Sequence, residues 1–241
     1  MTARANAAPV GGMHYHLEHF PDSFVSKYLR EYQCGSRRAV ACCNGTCVRG
    51  YADPAPALAD LISRETRALP DRRERGGEGH VAAVHIRAGD VLDRSPYSVD
   101  QMLARPTRVS WKCPGETMAC GVGMDVQPLQ YAQTRDHWAR VIVRSLRALH
   151  VSRVTIVSGS HYNLSDLPPP RFGKSCAYIS AVGAIFAASN FSVRYRLGYP
   201  PDDDLIFVSR VRALAPSVGG FATMMSEAVA RIGVHVVNEV V

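Results

Sequence analysis

The sequence predicts an α/β fold: a doubly wound parallel sheet preceded by a small, mostly helical region that carries cysteines. Three observations predict it. From Val81 onward, short apolar runs alternate with longer amphipathic segments, as they do in chains built from strand–helix–strand units. Runs such as VAAVHI are apolar at successive positions, as strands covered on both faces must be. The conspicuous polar residues follow the ends of these runs, where open parallel sheets bind ligands.

The elements follow in order. Asp22-Ser23 caps a short expected helix, FVSKYLREY, with Phe24, Tyr28 and Leu29 on one face. A cysteine-rich loop comes next. PALADLISRETRAL then places Leu58, Leu61, Ile62 and Leu69 at helical spacing. DRRERGGEGH alternates charge and runs into glycines, as a solvated linker does, so a boundary is expected there: 1–78 as the N-terminal region and 79–241 as the main domain. VAAVHI is the first strand, and an irregular Gly- and Pro-containing stretch occupies 89–125. PLQYAQTRDHWARVIVRSLRALH is a long helix whose apolar stripe includes Leu129, Trp138, Val141, Ile142 and Leu146. VSRVTIVSGS reads as strand and turn, AYISAVGAIFAAS as helix, FSVRYRL as strand and DDLIFVSRVRAL as helix. A short strand near Leu214-Ala215, the helix FATMMSEAVARI and the strand VHVV complete the pattern.

At 241 residues the chain can bury a sizeable core. No apolar run approaches the ~18 residues of a membrane span, and MTARANAAPVGG lacks the layout of a signal peptide. Membrane attachment is therefore expected only through an anchor absent from this sequence; a cytosolic protein is the other reading. The formal net charge of +7 suits an anionic ligand. Aromatic residues are not interleaved with Lys and Arg as a nucleic-acid surface requires, so nucleic acid is not an expected partner.

Four of the seven cysteines, Cys34, Cys42, Cys43 and Cys47, fall in CGSRRAVACCNGTC, and Cys113 and Cys120 bracket CPGETMAC. Short-range pairs in such loops read as disulfide staples of an oxidising compartment, with two bridges among the first four and one from Cys113 to Cys120. A zinc site near His14, His16 and His19 competes, but the repeated two-residue gap between cysteines is missing. The odd count leaves Cys176 as the expected unpaired thiol. Sequons at Asn44, Asn163 and Asn190 point to the same lumenal setting.

Three segments carry chemistry. In His85-Ile86-Arg87-Ala88-Gly89-Asp90, alternation puts His85 and Arg87 on one side of a strand end. There Arg offers a fork of donors to phosphate, and Gly89 admits close backbone approach. A surface Arg–Asp pair beside a satisfied histidine is the bland alternative. In Pro216-Ser217-Val218-Gly219-Gly220-Phe221, Ser and two Gly before an apolar helix make an anion seat or merely a cap. Asp202-Asp203-Asp204 complements a helix dipole; a metal triad would need further ligands.

HIRAGD resembles the H-x-R-x-G-D signature of the fucosyltransferases, including the α-1,2, α-1,6 and protein O-fucosyltransferase groups. DLIFVSRVRALAPSVGGF is similar to the stretch those enzymes carry downstream, and the two occur in the same order. The likeness runs from about Val81 to the C-terminus. It implies a Rossmann-like C-terminal half of a GT-B glycosyltransferase, with GDP-fucose as donor substrate, no metal and no separate cofactor. It implies that Arg87 binds the β-phosphate, that His85 contacts the nucleoside side, and that Gly89 and Asp90 complete the signature. Asp204 would accept from the guanine edge, and the backbone from Ser217 through Gly219, Gly220 and Phe221 would hold phosphate. The chemistry implied is a single inverting displacement onto a hydroxyl of a glycan or protein acceptor in the Golgi or another secretory-pathway lumen. Asp93, on a loop expected to overhang the sugar, is the expected base, with Arg87 assisting the leaving group. The family's frequent Arg-Arg pair is Arg87-Ala88 here, and about 80 N-terminal residues are short for a complete first GT-B domain. A reduced acceptor side, or a partial chain, is therefore expected. A catalytically inactive nucleotide- or glycan-binding module of the same fold is the alternative.

Overall fold

The structure is a computed structural model that describes residues 42–43, 46–47, 59–60, 62, 78–93, 95, 97–104, 131–161, 173–217 and 220–237. Two short strands, β1 (Cys42–Cys43) and β2 (Thr46–Cys47), pair antiparallel. The other five are β3 (Val81–Gly89), β4 (Arg153–His161), β5 (Ser192–Leu197), β6 (Ala213–Ala215) and β7 (His235–Val236). They form one sheet in the order β5-β4-β3-β6-β7, with every pairing parallel.

The helices lie between the strands. α1 (Asp90–Asp93) and α2 (Val99–Ala104) precede α3, a π-helical turn (His137–Ile142) continuing as α-helix (Val143–Ala148). α4 (Gly173–Ala188) joins β4 to β5, α5 (Pro201–Val208) joins β5 to β6, and α6 (Gly220–Ala230) joins β6 to β7. No helix among the described residues is long and apolar enough to cross a membrane. The chain thus steps outward from β3 to β5, then restarts on the other side of β3. That reversal makes a Rossmann-like sheet with its topological switch point between β3 and β6.

Strand alternation divides the core in two. Ala82, Val84, Ile86 and Ala88 of β3 face a cluster with Leu92, Trp138, Leu146, Tyr178 and Phe186 from α1, α3 and α4. Val81 and Ala83 face Leu205, Val208, Met224, Met225 and Val229 from α5 and α6. The fully buried Ile62, from the N-terminal stretch, packs into this second cluster. Buried polar atoms in the first cluster are matched: Trp138 Nε1–H donates to Tyr178 Oη at 3.0 Å, and the Tyr178 hydroxyl donates to the Gln133 carbonyl at 2.6 Å.

Two expected helices are shorter than their patterns. Thr134 accepts the His137 N–H through Oγ1 at 3.1 Å, the bond of an N-cap, so the long helix begins near there. α5 ends at Val208, and Ala213–Ala215 joins the sheet, because the apolar run at its end is needed as the strand beside β3. The FVSKYLREY helix and the cysteine pairings lie outside the described residues or their side chains. Cys176 is a free cysteine, its thiol pushed up by burial and by nearby Asp93.

Candidate functional site

His85 and Arg87 lie on the α5–α6 face of β3, by the same alternation that puts Val81 and Ala83 there. The β3–β6 ladder ends at Val84 opposite Ala215, so the edge of β3 beyond it has no backbone partner from β6. Ser217, two residues past β6, supplies a side-chain partner instead. Its Oγ accepts the Arg87 backbone N–H at 3.2 Å and lies 2.9 Å from His85 Nδ1. One hydroxyl therefore ties together residues 130 and 132 apart in sequence, at the switch point.

The His85 ring is buried and meets Phe221 edge-on, with centroids 5.5 Å apart. Burial, followed by the charge of Arg87, lowers its pKa to about 4, so the ring is neutral at physiological pH. When the Ser217 hydroxyl donates to Nδ1, the ring proton resides on Nε2 and is available to a ligand acceptor. The Arg87 guanidinium lies over the Tyr131 ring, 4.5 Å from its centroid, and Nη1 donates to Tyr131 Oη at 3.4 Å. Stacking fixes the plane of the fork, which a phosphate-binding Arg needs.

The end of β3 is held from the other side. Gly89 has φ of 92°, a left-handed conformation that favours glycine. It turns the strand into α1. The Gly89 N–H donates to Ser175 Oγ at 2.9 Å. Asp93, expected on a free loop, is instead in α1 and caps α4: its carboxylate accepts the Lys174 N–H at 3.0 Å, and the Ser175 hydroxyl donates to it. The Lys174 ammonium donates to the Ser95 carbonyl. Asp90 opens α1; its side chain lies outside the described residues.

Asp204 sits in the first turn of α5 with 0% exposure. Arg196 Nε–H donates to its Oδ1 at 2.6 Å, while Oδ2 is buried with no hydrogen-bond partner among the described residues. Burial pushes its pKa up to about 8 and lowers that of Arg196; both charges pay for leaving water. Register links this pair to the first group. His85, Val157 and Arg196 lie side by side on β3, β4 and β5, so all three project from the same face. His85 and Arg196 are two strand spacings apart, roughly 10 Å. Between them and one row on, Gly159 stands opposite Arg87 and contributes no side chain.

The sequence-expected residues His85, Arg87, Ser217 and Phe221 are thus in contact, directly or through one neighbour, and Asp204 lies over the same face. Gly220 opens α6, and Gly219 lies outside the described residues. Ser158, noted only as a strand-end residue, points to the other face and donates to the Ile86 carbonyl at 2.7 Å. Sequence reading missed Tyr131, Ser175 and Arg196. Only Arg196 leaves a trace, as a cation on the edge strand β5 in the row of His85, and that row is visible only once the register is known.

A concavity of about 440 Å³ lies at the opposite, amino-terminal edge of the sheet, where Arg210, Arg212 and His235 line it with Leu149.

No family model matches the chain, and no curated protein matches it. Among solved structures it is similar to a crystal structure of POFUT1 in complex with GDP, at 13% sequence identity and a TM-score of 0.35. The match covers 71% of this chain, which spans 43% of that one.

Proposed function

We propose that this chain is the donor-binding part of a fucosyltransferase-like glycosyltransferase, which binds GDP-fucose and transfers fucose to a glycan or protein hydroxyl by inverting displacement. The observation that carries the reading is the junction of His85, Arg87 and Ser217 at the switch point of a doubly wound sheet. Parallel sheets bind nucleotides there, and these residues stand in the segments that resemble the family's signature. In this reading the stacked Arg87 fork takes the β-phosphate and neutralises the departing diphosphate, so no metal is needed. Neutral His85 donates from Nε2 on the nucleoside side. Gly89 and Asp90 shape the turn beside it, and the start of α6, through Gly219, Gly220 and Phe221, seats phosphate. Asp204 reads the guanine edge, whose two N–H donors suit one carboxylate. The sequons and cysteine loops support action in the Golgi or another secretory lumen; of the three asparagines, Asn190 is described and is exposed.

The test is calorimetry with GDP-fucose, GDP-mannose, UDP-sugars and free GDP. Tight binding confined to the guanosine ligands supports the reading, and binding of none of them defeats it.

The state of Asp93 favours a second reading, a nucleotide-binding module without turnover. Its carboxylate is committed to the α4 cap rather than facing solvent as a base would. Asp93→Asn separates the two, because Asn caps helices as well as Asp but cannot take a proton. A transferase with Asp93 as base keeps GDP-fucose affinity and loses ~10²-fold or more of its turnover. Unchanged turnover assigns Asp93 to the cap alone, and absence of turnover in the parent with GDP bound supports the module.

A further inference from the structure

Asp204 presents a mismatch that its own neighbours do not resolve. A fully buried carboxylate normally has both oxygens satisfied. Here Oδ1 accepts from Arg196 Nε–H at 2.6 Å, and Oδ2, also buried, has no partner among the described residues. Arg196 is itself held on two sides. Its guanidinium lies 3.8 Å from the Tyr199 ring centroid and 5.3 Å from that of Phe207. The outer ring, Tyr199, is 45% exposed. Stacked in this way, the guanidinium serves Oδ1 and gives Oδ2 no donor. Among the described residues, the charged and titratable groups near the Arg196–Asp204 pair include Tyr199 from the preceding turn and Asp203 on α5, whose charges act on Arg196, and His85, in the same row of the sheet as Arg196.

We propose that Arg196 is a positioning residue for base recognition: it fixes Asp204 through Oδ1 and supports its charged form, which leaves Oδ2 for the N–H donors of a ligand base. The proposal rests on the reading of Asp204 as the guanine-reading residue. It adds that selectivity depends on a second side chain, which touches no ligand. Tyr199 covers the guanidinium from the solvent side. Asp204 is 0% exposed, so a planar base reaches Oδ2 only once part of its cover is displaced, and the base then stacks on the same cation in its place.

One physical consequence separates this role from mere packing. Two N–H donors need an ionised acceptor, so binding of a guanine base draws a proton off Asp204 wherever the empty site holds it protonated. Burial pushes that carboxyl up to about 8. GDP affinity therefore rises with pH toward 8. UDP carries the same diphosphate without the paired donors and reports the phosphate side alone. Removing the Arg196 charge displaces the GDP-specific rise further up.

The experiment is calorimetry of GDP and UDP from pH 6 to 9 on the full chain and on Arg196→Gln, Arg196→Lys and Asp204→Asn. In Arg196→Gln the GDP-specific rise moves up by about one pH unit or more, which lowers GDP affinity at pH 7 by about tenfold with UDP unchanged. Arg196→Lys restores the charge and returns the profile toward the parent's. A parent-like profile in Arg196→Gln, or equal losses for GDP and UDP, overturns the proposal. If Arg196→Gln does not fold, Arg196→Met, which also removes the charge, decides: weaker GDP at pH 7 with unchanged UDP supports the role, and no change in either overturns it. Asp204→Asn that keeps the full preference for GDP over UDP defeats the guanine reading itself, whatever the Arg196 variants do.

Discussion

The two edges of the sheet both carry arginines, and the contrast between them separates a site from a charge. At the amino-terminal edge, Arg210 and Arg212 line a concavity and make no side-chain hydrogen bond or ion pair among the described residues. They stand on the edge where helices α3, α5 and α6 end, and positive charge suits the negative ends of helix dipoles. These helix ends need little else. His150, Asn190 and Gly233 close α3, α4 and α6 in left-handed conformations, with φ of 54°, 65° and 94°. The next N–H in each case, as in Val151 to Leu146 and Phe191 to Phe186, returns to a helix carbonyl. At the carboxyl-terminal edge, Arg87 and Arg196 are stacked on aromatic rings, and Ser217 and Asp204 bind beside them in buried positions. Charge is present at both edges. Preorganisation is present at one.

The strongest way to break this contrast is ligand affinity. Arg87→Ala should weaken GDP binding by ~1.5–3 kcal/mol through loss of a charge-assisted pair, whereas Arg212→Ala should leave it unchanged. Arg87→Lys should also bind poorly, since a point charge does not replace the fork. Equal losses from Arg87→Ala and Arg212→Ala, measured by calorimetry, would show that GDP responds to overall charge and not to the built site.

Stability tests the same edge without ligand. Ser217→Ala strands the Arg87 N–H and His85 Nδ1 beneath α6, and should cost ~1–3 kcal/mol. Asp93→Ala removes the α4 cap and should cost ~1–2 kcal/mol. Denaturant titration reads both, and a loss below a few tenths for Ser217→Ala would mean that water replaces the hydroxyl.

The pH dependence of stability follows from the two shifted groups. His85 has a folded pKa of about 4 against the ordinary 6.5 of histidine, so its contribution is present above 6.5 and lost as pH falls toward 4. Asp204 is raised from 3.8 to about 8, so its contribution is present below 3.8 and lost as pH rises toward 8. The two oppose each other between pH 4 and 6.5, and Asp204 acts alone from 6.5 to 8. Stability should therefore decline over that upper window, and Asp204→Asn should flatten the decline. An unchanged slope in that variant would place the titrating group elsewhere.

The smallest effect belongs to the amino-terminal edge. His150 holds a left-handed conformation that costs an L-residue about 1–2 kcal/mol, and glycine loses part of that gain through unfolded-chain entropy. His150→Gly should stabilise by about 0.5 kcal/mol with GDP affinity unchanged. A change in GDP affinity would mean that the two edges communicate.

How much of this was legible beforehand can be judged residue by residue. HIRAGD states its own geometry: alternation puts His85 and Arg87 on one side of a strand, and glycine marks the turn. Asp93 misled, because a carboxylate three residues past the signature looks like a loop base until the head of α4, 81 residues away, is seen to rest on it. The sequence points to the backbone of Ser217, whereas its hydroxyl is the part that ties the end of β6 to β3. Tyr131, ahead of the helix cap at Thr134, carries no local signal, and Arg196 only the weak one of a cation on a strand, which is common everywhere.

The sequence by itself determined the alternation of strands and helices, the parallel sheet, and the two segments that meet at its carboxyl edge. These depend on periodicity and turn chemistry, which act over a few neighbouring residues. Strand order, register and the sharing of protons among distant side chains were decided by tertiary structure alone. They depend on which faces pack together, and that choice minimises buried unpaired polarity over the whole chain at once. Ser217 illustrates the difference: its place after a strand is local, but its role exists only because β6 stops two residues before it while β3 runs on.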